Sequence, residues 1–366
     1  MNLKHAVSPS FMKNPGMIKN DFDEIPIIDL GKSLSDNPEA LAATIREICH
    51  KVGFFIVTNH GVPKKVVSDT FQLGKTIFGL PLEQKQLIDK RQSPYFRGWE
   101  AEGSEFTNNN PDIREQVDLW SEHAPRDGNI EPAYLRLLGP NQWLPDAVLP
   151  NSQKVMTRWF DETGNLANKL MSLLGIGLGF SADYFENRFG EERMSLTKLI
   201  RYPKTPQGSF GVNAHHDSGF LTVLAAGDTP GLEILNAADK WVPVPVIPDA
   251  FVINIGEMLQ AVTGNYYIAT SHRVFSNAER YSLGYFHGPS LESNLSQVDL
   301  KPEFVDAVQN SPRHSSAGFM ASAEDTKGGV KEMSGGLNAS TYGDQLWSYF
   351  KRSYPENMKK HHPDVE

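Results

Sequence analysis

The spacing of apolar residues changes along this chain, and that change does most to limit the folds open to it. Before Met194 the apolar positions recur mainly at helical intervals. From Met194 onward they alternate in short runs at Leu196–Tyr202, Phe220–Ala226, Leu232–Leu235, Ala250–Ile255, Arg273–Phe275 and Tyr281–Phe286. Alternation sends every second side chain to the same face, which suits strands packed against a core from one side. Turn signals separate the runs, among them Asp228-Thr229-Pro230-Gly231 and Thr263-Gly264-Asn265. A sandwich or barrel is therefore favoured over a parallel sheet. No repeat with a period of roughly 20–50 residues is visible, which argues against a solenoid or propeller.

The earlier half reads as helices around a few strands. Met1–Asp23 shows no sustained period and is expected to be a loose, flexible arm over residues 1–23. Ile25–Leu30 is a β-rich run. Asn37-Pro38-Glu39 supplies a capping side chain, a proline at the first helical position and an acid in the first turn, and Leu41, Ile45, Ile48 and Val52 then follow at helical spacing up to Gly53. Phe54–Thr58 is a strand closed by Asn59-His60-Gly61, and helices are expected near Pro63 and Pro81 with Gly79 between them. Pro94–Pro150 is rich in Pro, Gly and Asn and reads as loops and short strands. Val155, Trp159, Leu166, Leu170 and Leu173 mark one face of the longest helix candidate, Ser152–Leu178. The expected divisions are an arm at 1–23, a helix-and-strand region at 24–150, a long supporting helix at 151–190, a β-rich core at 191–300, and a C-terminal loop, helix and tail at 301–366. Ser311–Ser340 is read as an extended loop and Tyr342–Arg352 as the last helix.

The 366 residues are 39% hydrophobic and 22% charged, enough to bury a sizeable core. The formal charge of −9 speaks against a general nucleic-acid surface. No apolar run approaches the roughly 18–20 residues that cross a bilayer, and Met1–Lys19 lacks a signal-type segment, so a cytoplasmic protein without a membrane partner is expected. The lone Cys49 sits at an apolar helix position and reads as core. It can build neither an internal disulfide nor a thiolate cluster, so any metal must be held by nitrogen and oxygen.

The chemistry is concentrated in Asn213-Ala214-His215-His216-Asp217. In extended backbone, residues two apart share a side, so His215 and Asp217 can meet at one point while His216 faces away. His272, in Ser271-His272-Arg273-Val274, is the candidate third donor. Two histidines and a carboxylate on one face of an octahedron leave three positions open, the arrangement suited to iron(II) that must also take up a co-substrate and oxygen. Eight residues beyond His272, Arg280 and Ser282 point the same way on a strand and together offer donors to a carboxylate.

These residues resemble the His-x-Asp, distal His and Arg-x-Ser elements of the iron(II)/2-oxoglutarate-dependent dioxygenase superfamily, in its isopenicillin N synthase-like branch. Ile200-Arg201-Tyr202-Pro203, Asn254-Ile255-Gly256-Glu257 and Tyr285-Phe286-His287-Gly288-Pro289 add to the likeness. So do Ile25–Leu30, Gly53-Phe54-Phe55 and Asn59-His60-Gly61-Val62 in the first half. The resemblance implies a mainly β protein with flanking helices (α+β) whose core is a double-stranded β-helix, or jelly roll. It also implies iron(II) held by His215, Asp217 and His272, and 2-oxoglutarate held by Arg280 and Ser282 with a further hydrogen bond from Tyr202. Oxygen is the second co-substrate and ascorbate a candidate reductant. The expected enzyme is a monomer that hydroxylates, desaturates or cyclises a small organic molecule, releasing succinate and carbon dioxide. Many relatives carry a small amide two positions before the tyrosine; Ile200 stands there here, and Lys198, on the same strand face, is a secondary helper for the co-substrate carboxylates.

Plainer readings apply elsewhere. His60, His123 and His287 read as structural, His216 as a strand-face neighbour of the site, and His361 and His362 as parts of a solvated tail. Asp112, Arg114 and Glu115 read as solvated loop charges and stay outside the expected site. Three other functions are open to the sequence: an oxidase that uses the same iron without 2-oxoglutarate, an ethylene-forming enzyme that consumes 2-oxoglutarate itself, and a non-catalytic jelly-roll binding protein. Residues Tyr95–Trp120 and the stretch after Pro289 are expected to choose the substrate. Amino acids, flavonoid-like and hormone-like molecules, nucleobases and peptides all remain open.

Overall fold

The alternating runs pair into two facing sheets in the computed structural model, which describes residues 18–31, 36–107, 110–126, 130–206, 208–315 and 340–364. The strands of the first half are β1 (Ile27–Asp29), β2 (Phe54–Thr58), β3 (Gly98–Glu100), β4 (Phe106–Thr107), β5 (Asn110–Pro111) and β6 (Glu115–Trp120). Those of the second half are β7 (Leu196–Tyr202), β8 (Val212–His215), β9 (Leu221–Ala225), β10 (Leu232–Leu235), β11 (Trp241–Pro243), β12 (Phe251–Ile255), β13 (His272–Val274) and β14 (Arg280–His287). The larger sheet runs β1-β2-β12-β9-β14-β7-β6-β3 and the smaller β11-β10-β13-β8, while β4 and β5 form a separate hairpin. Apart from the β10–β11 hairpin, consecutive strands of the second half cross between the sheets, as expected of a jelly roll.

Burial explains which strands lie centrally. β2 and β12 are apolar along almost their whole length and pair with each other inside the large sheet, where helices cover one face and the small sheet the other. β6 is buried at all six positions yet carries Glu115, Gln116 and Asp118, so charge has been brought into the interior there.

Three helices back the large sheet. α1 (Pro38–Lys51) starts at Asn37, whose side chain accepts from the Ala40 N–H at 2.9 Å, with Pro38 at its first position; it buries Leu41, Ile45, Ile48 and Cys49 against α3 (Ser152–Gly177). α2 (Lys64–Gly79) packs between α3 and the sheet. α3 turns Met156, Trp159, Leu166 and Leu170 inward, and the buried Trp159 Nε1 donates to Thr197 Oγ at 3.2 Å on β7.

Three expectations need correction. The arm expected to be loose over residues 1–23 is anchored from Ile18 onward. Ile18 and Phe22 are buried, the Phe22 carbonyl accepts from Asn236 Nδ2 at 2.8 Å, and Asn20 O accepts from the Ala237 N–H at 3.0 Å; residues 1–17 lie outside the described residues. The supporting helix expected over 151–190 stops at Gly177, and a short separate helix follows at Tyr184–Phe189. The C-terminal tail is anchored rather than free, and His362 is not solvated. A helix at Pro355–His361 returns to the 90–97 segment, where Asn357 Nδ2 donates to Lys90 O at 3.1 Å, and His362 is buried with a ring nitrogen 2.8 Å from Pro94 O. His361 reaches Arg91 O at 3.0 Å. Most of the loop expected over Ser311–Ser340 lies outside the described residues, which include a short helix at Pro312–Ser315. Among the described residues, no helix is long and apolar enough to cross a membrane.

Candidate metal centre and anion anchor

His215 ends β8 and His272 begins β13. The two strands pair antiparallel with these histidines directly opposite, and their ring centroids lie 4.2 Å apart. Both therefore belong to the small sheet. Asp217 lies two residues past the end of β8, in the turn that carries the chain to β9 of the large sheet. One ligand atom from each of the three residues falls within 4.8 Å of the others: Asp217 Oδ1 is 3.7 Å from His215 Nε2 and 3.5 Å from His272 Nε2.

The surroundings orient all three side chains. His215 Nδ1 is 2.8 Å from Asn213 O and His272 Nδ1 is 3.3 Å from Thr270 O, so carbonyls take the Nδ1 protons and the Nε2 lone pairs face inward. Asp217 Oδ2 accepts from Thr222 Oγ at 2.5 Å and Asn254 Nδ2 at 2.7 Å, which leaves Oδ1 for the histidines. Thr222 and Asn254 face each other across β9 and β12, so the carboxylate is tied to the large sheet while the imidazoles belong to the small one. Gly256 lets the turn close: a Cβ there would stand 2.2 Å from Gly219 O. Burial pushes the His215 imidazole down to about 3, helped by repulsion from His272 and Arg114. Burial works against the charge on Asp217, but His272, His215 and the Asn254 hydrogen bond outweigh it and hold the carboxyl well below its usual range. A neutral His215 and an ionised Asp217 are in the protonation states a metal requires.

Thr222 and Asn254 were not singled out from the sequence as supports for the metal site. Asn254 does leave a signal, as the polar residue inside the otherwise apolar run Phe251-Val252-Ile253-Asn254-Ile255. Asn254→Ala removes one of the two donors to Oδ2. Metal affinity measured by equilibrium dialysis is expected to fall about tenfold, the lower end for a supporting partner of a ligand.

The candidate anion-binding residues stand on the large sheet. Arg280 on β14 stands opposite Tyr202 on β7, and Ser282 stands opposite Ile200. Tyr202 points toward the small sheet: its ring passes so close to Gly211, just before β8, that a Cβ there would be 2.5 Å away. Arg280 is 1% exposed, and its Nε donates to Thr229 O at 3.2 Å. Among the described residues no carboxylate lies within 4 Å of it, and both its Nη1 and the buried Ser282 Oγ lack a hydrogen-bond partner. An unpaired buried cation is costly, so the pocket is built for an anion that comes from outside the chain. The donors fit a dicarboxylic acid, and the two imidazoles and one carboxylate fit a divalent iron.

His216 turns away from this point, with Nδ1 3.8 Å from Glu257 Oε1 at the start of the short helix Glu257–Val262. His60, His123 and His287 are structural, as expected. His60 and His123 bond to the carbonyls of Asp249 and Arg193, and His287 is buried beside the Tyr285 hydroxyl. Lys198 is not a helper for the co-substrate. Its ammonium is taken by Glu105 at 3.0 Å and Asp118 at 3.4 Å. Nor are Asp112, Arg114 and Glu115 solvated loop charges. Asp112 and Glu115 are buried, and Arg114 pairs with Asp112 at 2.9 Å and with Glu105. Glu115 faces the helix side and binds Lys85, Trp99 and Arg201.

Comparison with known proteins agrees with this geometry. Residues 25–146 match the family model described as non-haem dioxygenase in morphine synthesis, N-terminal, and residues 190–289 match that of the 2OG-Fe(II) oxygenase superfamily. A 2-oxoglutarate-dependent dioxygenase of Dothideomycetidae sp. (strain 11243) is 31% identical over 94% of this chain and 91% of its own length. Another, from Gibberella zeae, is 30% identical over 94% and 93%. The fold is shared with the dioxygenase for auxin oxidation of Arabidopsis thaliana, solved as a complex with 2-oxoglutarate, at a TM-score of 0.58 and 24% identity over 79% of this chain and 99% of that one. The chain thus belongs to the 2OG-Fe(II) oxygenase superfamily, whose members use iron(II), 2-oxoglutarate and molecular oxygen.

Proposed function

We propose that His215 Nε2, His272 Nε2 and Asp217 Oδ1 hold one iron(II) ion, and that Arg280, Ser282 and Tyr202 receive the distal carboxylate of 2-oxoglutarate, in a dioxygenase that oxidises a small organic molecule. The carrying observation is the convergence of three ligand atoms in a chain that also buries a guanidinium with no carboxylate partner among the described residues. Iron and 2-oxoglutarate, when bound, supply the oxidising power, with oxygen consumed and succinate and carbon dioxide released as a C–H bond of the substrate is oxidised.

The chain contributes binding and order. Thr222 and Asn254 hold Asp217 so that Oδ1 stays on the histidine side. The Asn213 and Thr270 carbonyls fix the tautomers of the two imidazoles. Tyr202 lies against Arg280, with its ring centroid 5.1 Å from the guanidinium carbon, and screens that cation from water; a carboxylate meeting it there gains a charge-assisted pair in a dry setting. His215, Asp217 and His272 would supply three of an iron ion's ligands and so leave room for the keto acid to bind.

The test is an anaerobic titration with iron(II) and 2-oxoglutarate, followed by a screen of small-molecule pools for succinate release. Binding of 2-oxoglutarate that depends on iron, with succinate formed in step with oxidised product, is the expected result. Iron-dependent oxygen uptake with no demand for 2-oxoglutarate would transfer the protein to the oxidase reading.

A further inference from the structure

Buried polar atoms without partners are uncommon in folded proteins, and those that exist ask for an explanation. Among the described residues one such group is the Arg280 and Ser282 pair. A second lies on the same large sheet, where Asp112 Oδ1, Arg114 Nε, Gln116 Oε1 and Asp118 Oδ1 are all buried and unpartnered. Three of those four atoms are acceptors.

The strand register explains how the second group joins the first. β14, β7 and β6 run side by side, with Ser282 opposite Ile200 and Ile200 opposite Gln116, and with Gly284 opposite Lys198 and Lys198 opposite Asp118. The face that carries the anion anchor thus continues directly into Lys198, Gln116 and Asp118.

The ionic contacts on this face form a single alternating chain. Asp112 meets Arg114 at 2.9 Å, and Arg114 meets Glu105. Glu105 meets Lys198 at 3.0 Å, and Lys198 meets Asp118 at 3.4 Å. Asp118 meets Lys90 at 2.6 Å, and Lys90 meets Glu100 at 2.5 Å. Carboxylates stand at both ends, so the chain is one positive charge short. The Glu100 end is closed by Gln116 Nε2 at 2.8 Å and the Tyr354 hydroxyl at 3.3 Å. The Asp112 end is open: Oδ2 takes Thr107 Oγ and Arg114, and Oδ1 takes nothing. Burial accordingly pushes the Asp112 carboxyl up to about 6, against the pull of Arg114.

The Asp112 end adjoins the hairpin that packs on β8. Glu105 and Asp112 flank the β4–β5 hairpin, and β4 packs on β8, the strand that ends in His215.

We propose that Asp112 is the docking point for a positively charged group of the substrate, an ammonium or a guanidinium, which completes the ionic chain and sets the rest of the molecule against the iron. This rests on the function proposed above and names the class of molecule it acts upon. Arg114 and Lys198 do not repel such a group as free cations would, because each is shared between two carboxylates. Asp112 is assigned as a specificity-determining residue.

The experiment compares cations with uncharged molecules of the same shape. Nα-acetylarginine amide and Nα-acetylcitrulline amide form one pair, N-acetylagmatine and its ureido analogue a second, and N-acetylputrescine with N-(4-hydroxybutyl)acetamide a third, so that the members of each pair differ in one cationic group. Each is titrated calorimetrically, without oxygen, into the wild-type protein loaded with iron(II) and 2-oxoglutarate. At least one cationic member is expected to bind tenfold or more tightly than its uncharged partner. Asp112→Asn, which keeps the shape and removes the charge, is expected to reduce that preference to less than threefold; a purely structural aspartate would not change with the charge of the ligand. Equal binding within every pair, or preference for the uncharged members, overturns the proposal. A preference that survives in Asp112→Asn overturns the assignment to this residue. Should that variant not fold, the wild-type comparison still decides between a cationic and an uncharged substrate. Failure of 2-oxoglutarate itself to bind in the loading step would count against the function proposed above, whereas loading without cation preference counts against this inference alone.

Discussion

His272→Ala is expected to lower iron(II) affinity by on the order of 100-fold or more, since loss of a mere supporting partner costs about 10–100-fold. Of the three proposed ligands, His272 contributes an Nε2 that faces Asp217 Oδ1 at 3.5 Å, and its ring stacks edge-on to Phe54 with centroids 5.2 Å apart. The substitution removes one of three donors and leaves Asp217 in place, because Thr222 and Asn254 hold that carboxylate independently. Equilibrium dialysis gives the affinity, and thermal unfolding gives a second readout. A ligand that binds the folded state alone raises the unfolding midpoint. Added iron(II) should therefore raise the midpoint of the wild type and leave that of His272→Ala unchanged. An iron-dependent rise of equal size in both proteins would remove His272 from the ligand set.

Arg280→Met carries the second large effect, with opposite consequences for binding and stability. Truncating one partner of a buried, hydrogen-bonded charge pair costs about 2–5 kcal/mol, so 2-oxoglutarate affinity should fall by roughly 30-fold to several thousand-fold. Iron binding should not change, because Arg280 stands on the large sheet while both histidines stand on the small one. Without co-substrate, however, the native protein holds a guanidinium that is 1% exposed and has no carboxylate within 4 Å among the described residues. Burial lowers the affinity of Arg280 for its proton, the sign of an uncompensated charge. Replacing it by an unbranched apolar side chain should leave the unfolding midpoint of the unliganded protein unchanged or higher, offset by loss of the Nε bond to Thr229 O. Calorimetric titration and thermal unfolding of the same sample measure both. A marked fall in stability together with unaltered 2-oxoglutarate binding would mean that Arg280 is a structural residue.

What the sequence made legible was local. His215 and Asp217 are two positions apart, Arg280 and Ser282 likewise, and period-two geometry relates such pairs without knowledge of the fold. The run Leu196–Tyr202 and the helix from Ser152 were readable for the same reason, since their apolar periods are set within a few residues. The charged residues misread as solvated show where this stops. Glu115 binds Arg201, 86 positions later, and Arg114 binds Glu105, itself held by Lys198 93 positions further on, and no local pattern announces that such partners will meet. The default for a charge is exposure. The buried ionic chain overrides that default through pairing between strands that local patterns do not reveal. The anchoring of Phe22 by Asn236, 214 positions away, and the return of His362 onto Pro94 were missed for the same reason. At the candidate metal centre the sequence supplied the three side chains that converge but not their supports, because Thr222 and Asn254 become neighbours of Asp217 through the pairing of β9 with β12.

The most direct measurement is anomalous diffraction at the iron edge from anaerobic crystals grown with iron(II) and 2-oxoglutarate. A single iron peak within bonding distance of His215 Nε2, His272 Nε2 and Asp217 Oδ1, with the keto acid extending from it to Arg280 and Ser282, is the predicted result. Iron held elsewhere, or 2-oxoglutarate density away from Arg280, would contradict the account.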